Sequence, residues 1–412
     1  MELLLQKSTI SNQQSSIKIT GSKSETNRLL LLQALYPNLV LENSSICDDS
    51  EVMLKALQLS KLVNLPSSII DVHHAGTAMR FLTAFFAIQE NKEVTITGSS
   101  RMKERPIKIL VEALKQLGAD IVYTDKEGFP PLKIKGKKLL KNKISLPANV
   151  SSQYISALLL IAPKLENGLE LTLEGEIMSL PYIKMTLALL NEIGIKTSFE
   201  DNSIRVNQKT KIVDHQSTIE SDWSSASYFY SIVALSPLKT KIKLSNFREN
   251  SLQGDASLVE IYKNFGVKTS FYNDEITLEK INNYHQSVKL NLSETPDIAQ
   301  TIAVTSFGLG LGCRLEGLET LKFKETDRLE ALRVELSKLG AMVVVRDSVL
   351  LLGPSTQIKE YSVIKTYQDH RMAMAFAPLA LKTNIIIENA EVVSKSYPNF
   401  WEDLKQIGFQ TV

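Results

Sequence analysis

One pattern of apolar and polar positions recurs along the chain: an amphipathic helical segment, a hydrophobic residue followed by glycine, then a β-branched or apolar strand. It occurs at Leu117-Gly118-Ala119, Ile193-Gly194-Ile195, Phe265-Gly266-Val267, Leu339-Gly340-Ala341 and Ile407-Gly408-Phe409. A glycine in that place fits the left-handed position that closes a helix, where a side chain would clash. Successive glycines stand roughly 70 to 75 residues apart, longer than the usual solenoid or propeller period, so each copy reads as a small subdomain. One period back, residues 50–59 place Met53, Leu54, Ala56 and Leu57 on one helical face and suggest a sixth, degenerate copy. Six copies divide into two α/β domains of three.

Strands and helices alternate without a GxGxxG turn or a GxxxxGK[ST] loop, which removes the dinucleotide and P-loop readings. Any phosphate must then be held largely by side chains. A length of 412 residues exceeds one ordinary core and agrees with two domains. A net charge of +2 gives no broad basic surface for nucleic acid, so any anion site is local. Two cysteines, Cys47 and Cys313, are too few for a disulfide framework and point to a reducing compartment, the cytoplasm. The longest apolar runs, such as residues 157–162, fall short of the roughly 20 residues of a spanning helix. The first residues read as neither export signal nor transit peptide.

Several polar clusters sit at the mouths of apolar helices. Gly21-Ser22-Lys23-Ser24-Glu25-Thr26-Asn27-Arg28 brings hydroxyls and two cations to one helix start, which suits an oxyanion or a capped helix with solvated charges. His73-His74-Ala75-Gly76-Thr77-Ala78-Met79-Arg80 repeats the theme, with Gly76 allowing close approach to the backbone. A metal is not expected there, because Asp71 is the one nearby carboxylate and His215, His285 and His370 lie far along the chain. Arg101, Lys103 and Arg105 fall within five residues, with Pro106 suited to a first helical turn, and read as an anion clamp or a solvated run. Ser151-Ser152-Gln153-Tyr154 and Ser179-Leu180-Pro181-Tyr182 offer hydroxyls, an amide and an aromatic face. Asp297 opens an apolar helix as cap or base. In Lys324-Glu325-Thr326-Asp327-Arg328 a helix would place Lys324 and Arg328 on one face, repelling unless an anion sits between them. Asp369-His370-Arg371 and Ser394-Lys395-Ser396 add a cation each.

In order, GSKSETNR at 21–28, AGTAMR at 75–80, RMKERP at 101–106, SSQY at 151–154, SSASYF at 224–229, KETDR at 324–328, DHRMAM at 369–374 and Lys395 resemble the 5-enolpyruvylshikimate-3-phosphate synthase family over nearly the entire chain. The resemblance implies the enolpyruvyl transferase fold, an inside-out α/β barrel. It has two similar domains, each of three βαβαββ units around buried helices, with the active site in the interdomain cleft. It places the domains at 20–220 and at 1–19 plus 221–412, joined by crossovers near 19–21 and 219–222, with closure over substrate. The implied reaction moves the enolpyruvyl group of phosphoenolpyruvate to shikimate 3-phosphate by addition and elimination, without cofactor or metal. Its partners are those two small molecules, with no nucleic acid and no membrane, and the protein is expected as a monomer.

Carried over residue by residue, the resemblance gives Lys23, Ser24, Arg28, Ser151, Ser152, Gln153, Ser179, Tyr182, Asp297, Thr320 and Lys324 to shikimate 3-phosphate. It gives Lys23, Gly76, Arg101, Gln153, Arg328, Arg371 and Lys395 to phosphoenolpyruvate, and proton transfer to Lys23, Asp297 and Glu325. Gly76 would leave the room beside the donor that makes the family a glyphosate target. The chain departs from the family at Thr20, His74, Phe81, Trp223 and Thr320, the last standing where a substrate-contacting asparagine is frequent. A related fold with the same donor, the UDP-N-acetylglucosamine enolpyruvyl transferase, carries a reactive cysteine in the loop matching 101–106, which is absent here. A nucleic-acid binder would carry a cationic stripe interleaved with aromatics. These cations stand in small groups beside glycine and serine.

Overall fold

Helices that are apolar all round must be buried all round, and the central helices of this chain are of that kind. Trp223–Leu235 buries every residue except Ser224, Ser152–Ile161 every residue except Gln153, and Gly76–Ala87 every residue except Thr77. His370–Phe376 is buried throughout. The exceptions are all polar and all lie in the first turn. The three helices with an exception thus leave their N-terminal turn, with its orphan N–H groups, the more accessible end.

The computed structural model describes residues 1–10, 15–60, 68–283, 286–355 and 357–412; His285 lies outside them. The chain divides into two compact units, Met1–Gly21 with Glu220–Val412, and Ser22–Ile219. Each has its own apolar core.

Within each unit the strands of the described residues form three small sheets. In Ser22–Ile219, Ser68–Asp71 runs parallel to Glu93–Thr97 across the helix Gly76–Ala87. Leu132–Lys135 joins antiparallel, and Asp120–Tyr123 completes the sheet beyond it. The sequence order of these elements is βαβαββ. It recurs with Lys143–Pro147, Leu169–Glu174, Thr197–Glu200 and Ser203–Val206. In the other unit it recurs with Val288–Asn291, Cys313–Glu316, Val343–Arg346 and Val349–Leu352. In Glu93–Thr97, Val94 and Ile96 are buried while the alternate residues are partly exposed, the period-two pattern of a sheet covered on one face.

The glycines named from sequence do close their helices: Gly118, Gly194, Gly266, Gly340 and Gly408 all have positive φ, from 76° to 110°. The sixth helix is present as Asp48–Leu59, with Met53, Ala56 and Leu57 buried, but Leu54 faces outward.

Three local expectations fail. Lys324 and Arg328 do not share a helical face: Asp327 accepts from the N–H groups of Leu329 and Glu330, so the helix Arg328–Lys338 begins only after it. An aspartate cap competes effectively against helix continuation. Asp297 caps nothing. It lies in a single turn, Pro296–Ile298, ahead of the helix Ala299–Gly308, and its carboxylate is engaged elsewhere. Pro106 opens no helix either, since Ser100–Lys103 ends before it and Lys108–Leu117 is capped by Ile107.

Candidate active site

In the unit that holds both termini, four cations converge on three carboxylates. Asp297 Oδ1 accepts from Arg328 Nη1 at 2.9 Å and lies 3.2 Å from Lys324 Nζ, while its Oδ2 accepts from Arg371 Nη2 at 3.1 Å. Glu325 bridges two cations, Arg328 Nη2 at 2.8 Å and Lys395 Nζ at 3.2 Å. Asp369, fully buried, takes Arg328 Nε at 2.7 Å and also caps the helix carrying Arg371. The anion expected between Lys324 and Arg328 is therefore the protein's own Asp297. Burial by itself would raise the Asp297 carboxyl, but Arg371, Lys324 and Arg328 outweigh it and hold the group well below the usual carboxylate range. The Arg328 guanidinium is disfavoured by burial and then driven above its ordinary value by Asp369, Glu325 and Asp297.

Behind Asp297 stands a carboxyl that the motifs do not disclose. Asp255 accepts from the hydroxyls of Ser224 and Thr295, and Ser224 Oγ in turn accepts from Arg371 Nη2 at 3.3 Å. Burial, with Asp297 nearby, raises its pKa. The cluster thus contains one carboxyl held strongly ionised and a neighbour pushed toward protonation, a separation typical of acid–base sites.

The unit Ser22–Ile219 gathers a second set at helix starts. Lys23 opens the helix Lys23–Leu35 behind the Ser22 cap and pairs with Asp49 at 3.1 Å. Arg28, one turn on, is buried. It donates Nε to Thr186 Oγ1 at 2.8 Å, Nη2 to Ser156 Oγ at 2.9 Å and Nη1 to the Ser24 carbonyl at 2.8 Å. Its guanidinium carbon lies 5.4 Å from the centre of the Phe81 ring and 5.9 Å from that of Tyr182. Burial among these neutral groups lowers its pKa to about 10, which Tyr182 and Glu25 only partly offset. Gln153 donates Nε2 to Thr77 Oγ1 at 3.1 Å, joining two helix N-termini, while Ser151 caps its own helix and Ser152 is buried beside it. Ser179 has φ 54° and ψ 43° and caps with no side-chain bond. A serine held in the left-handed region is a strained placement of the kind found at binding sites.

Not every expected residue joins these groups. Arg101 pairs with Glu104 at 3.2 Å and is about one-third exposed, at 35%. Thr320 Oγ1 is buried and makes no hydrogen bond among the described residues. The space beside Gly76 is not open: a methyl there would stand 2.5 Å from Arg105 Nη1. Asp49, Ser156, Thr186, Asp255 and Asp369 were missed as partners. Asp369 had a sequence signal, its place directly before His370-Arg371, whereas the others are brought in by packing. Among the described residues no group of three or more His, Cys, Asp and Glu is placed to hold a metal ion, and no helix is long and apolar enough to cross a membrane.

A family model described as EPSP synthase (3-phosphoshikimate 1-carboxyvinyltransferase) matches residues 7–404. The chain is 45% identical over 405 residues to a Bacteroides fragilis (strain YCH46) protein named 3-phosphoshikimate 1-carboxyvinyltransferase, covering 96% of this chain and 95% of that one. A Haemophilus influenzae (strain PittGG) protein of the same name is 34% identical, over 97% of each. Among solved structures, EPSP synthase from Acinetobacter baumannii matches with a TM-score of 0.79 at 20% identity, covering 100% of this chain and 99% of that one. The enolpyruvyl transferase NikO from Streptomyces tendae matches at 0.74 and 13% identity, covering 100% and 98%. At those identities the structural likeness establishes the fold, that of the enolpyruvyl transferases. The family model spans nearly the whole chain and the named relatives match over nearly their full length, so the chain belongs to the EPSP synthase (3-phosphoshikimate 1-carboxyvinyltransferase) family.

Proposed function

We propose that the chain transfers the enolpyruvyl group of phosphoenolpyruvate to the 5-hydroxyl of shikimate 3-phosphate and releases phosphate, in the synthesis of aromatic amino acids. The observation that carries the reading is Asp297 held by Lys324, Arg328 and Arg371 beside Glu325 held by Arg328 and Lys395. Two carboxylates among cations are what the reaction needs. In the addition step the hydroxyl oxygen bonds to C2 of the donor, the hydroxyl proton leaves, and the methylene carbon gains a proton. In the elimination step the C2–O bond to phosphate breaks and a methyl proton is lost, restoring the vinyl group.

In this reading Asp297 takes the hydroxyl proton and Glu325 or Lys23 serves the methylene carbon. Arg328, Arg371, Lys395, Lys23 and Arg101 hold the donor's charges, with Gln153 and Gly76 beside them. Shikimate 3-phosphate falls to Lys23, Ser24, Arg28, Ser151, Ser152, Gln153, Ser179, Tyr182, Asp297, Thr320 and Lys324. The cations that hold Asp297 low also make it a poor base. When donor oxyanions take up Arg371 and Arg328, their hold on Asp297 weakens, and burial then raises its basicity. Donor binding thereby switches on the base.

The two units are read as the two enolpyruvyl transferase domains, and the protein as a cytoplasmic monomer. The free, buried Cys47 and Cys313 support a reducing location. Phosphorus NMR of a mixture with both substrates tests the reading: inorganic phosphate and a new phosphomonoester should appear together, in equal amounts. Phosphate formed without the new ester would overturn it.

A further inference from the structure

Glu335 is a fully buried carboxylate that belongs to no motif. Its Oε1 accepts from Tyr367 Oη at 2.6 Å and from Lys338 Nζ at 2.8 Å, while its Oε2 accepts from Lys338 Nζ at 2.7 Å and from the Lys365 N–H at 3.2 Å. A carboxylate needed only to pair with Lys338 along the helix surface would stay in water, where such pairs are cheap to form. This one is instead buried and spends two of its four bonds on a segment about 30 residues away.

That segment is strained. Tyr367 has φ 52° and Gln368 has φ 56°, two successive side-chain-bearing residues in the left-handed region. Such a conformation persists only where its surroundings hold it. The Asp369 N–H closes the turn on the Thr366 carbonyl at 2.8 Å, and the Asp369 carboxylate then accepts from the Arg371 N–H at 2.9 Å. Arg371 Nη2 in turn reaches Asp297 Oδ2 at 3.1 Å. The helix Arg328–Lys338 grips this run at two points about two turns apart on one face: Arg328 Nε holds Asp369 Oδ2 at 2.7 Å, and Glu335 holds Tyr367 and the Lys365 N–H. The strained pair lies between the two grips.

We infer that Glu335 and Tyr367 are positioning residues, which hold the turn 366–368 so that Asp369 and Arg371 stand where Asp297 and the donor need them. They act through that turn and touch no substrate. Arg371 as a donor-binding group rests on the enolpyruvyl transfer reading; the hold on the turn does not.

Two variants of the full chain test it, Tyr367→Phe, which removes one hydroxyl, and Glu335→Gln, which keeps the shape and one acceptor but loses the charge. Tyr262→Phe is the control, since it also removes a buried hydroxyl bond in the same unit, to Thr305 at 2.9 Å, with no link to the turn. With Tyr367→Phe the KM for phosphoenolpyruvate should rise about 5- to 30-fold, part of the roughly 10²-fold that a misplaced group can cost. The KM for shikimate 3-phosphate should stay within about twofold, Glu335→Gln should fall between Tyr367→Phe and the parent, and Tyr262→Phe should leave both KM values unchanged while losing stability. An unchanged donor KM in Tyr367→Phe, a parallel rise for both substrates, or the same donor effect in Tyr262→Phe would overturn the inference. Hydrogen exchange of the unliganded protein gives a readout that needs no turnover. The amides of Asp369 and Arg371 should exchange faster in Tyr367→Phe and at the parent rate in Tyr262→Phe; parent-like exchange in Tyr367→Phe overturns the hold on the turn. If exchange there quickens but the parent shows no enolpyruvyl transfer, the reaction assignment fails and the hold on the turn stands.

Discussion

Arg328 donates Nη1 to Asp297 Oδ1 across 2.9 Å, and the same buried guanidinium carries Glu325 at 2.8 Å and Asp369 at 2.7 Å. One arginine thus fixes the relative positions of the two carboxylates proposed to move protons. Removing a partner from such a buried pair leaves an uncompensated charge.

Asp297→Asn should therefore lose both stability and turnover. Lys324, Arg328 and Arg371 would remain close together without their shared anion. Breaking a buried pair costs up to about 3–5 kcal/mol. Added inorganic phosphate should raise the melting temperature of the variant more than that of the parent, since it substitutes for the missing carboxylate. Equal shifts would show that the three cations do not depend on Asp297.

Glu325→Gln should cut kcat by about 10²- to 10⁴-fold, the usual loss for a general acid or base, while both KM values stay within a few-fold. The amide keeps the shape that bridges Arg328 and Lys395 but carries no transferable carboxyl proton. Near-normal kcat in steady-state kinetics would remove Glu325 from the proton transfers.

The pH dependence of stability should carry the mark of Asp297. Its folded pKa is depressed below the unfolded value of about 4, so its contribution is fully present above that pH and is lost as pH falls through the folded pKa. Acid titrations should show the parent losing more stability than Asp297→Asn below about pH 4, and the two running parallel above about pH 5. A difference confined to neutral pH would contradict the depressed carboxyl.

Arg28→Lys should raise the KM for shikimate 3-phosphate without a matching change for the donor. The fork is oriented by Thr186, Ser156 and the Ser24 carbonyl and lies near the faces of Phe81 and Tyr182, a geometry that a lysine ammonium cannot fill. Parallel changes in both KM values, measured by varying each substrate in turn, would assign Arg28 a purely structural role.

What the sequence disclosed was set by range. The helix-closing glycines are local signals, and all five adopt the left-handed backbone that their context requires. Buried helices could be read as apolar runs such as residues 157–162, and the polar residues at their mouths as candidate ligands. Partnerships were not legible. Arg328 stands in a recognisable motif, yet its carboxylates lie 3, 31 and 41 residues away and meet it only through packing. The helical face assumed for Lys324 and Arg328 failed for a local reason, because Asp327 is a better cap than interior residue. Arg105 reads as one member of a charged run, yet its side chain is buried against Gly76 whereas that of Lys103 is exposed.

Enolpyruvyl transfer is tested most directly by initial rates of phosphate release with each substrate omitted in turn and with a metal chelator added. Release should require both phosphoenolpyruvate and shikimate 3-phosphate, saturate in each, and persist in the chelator. Release that continues undiminished without shikimate 3-phosphate, or that never occurs with both present, would contradict the account.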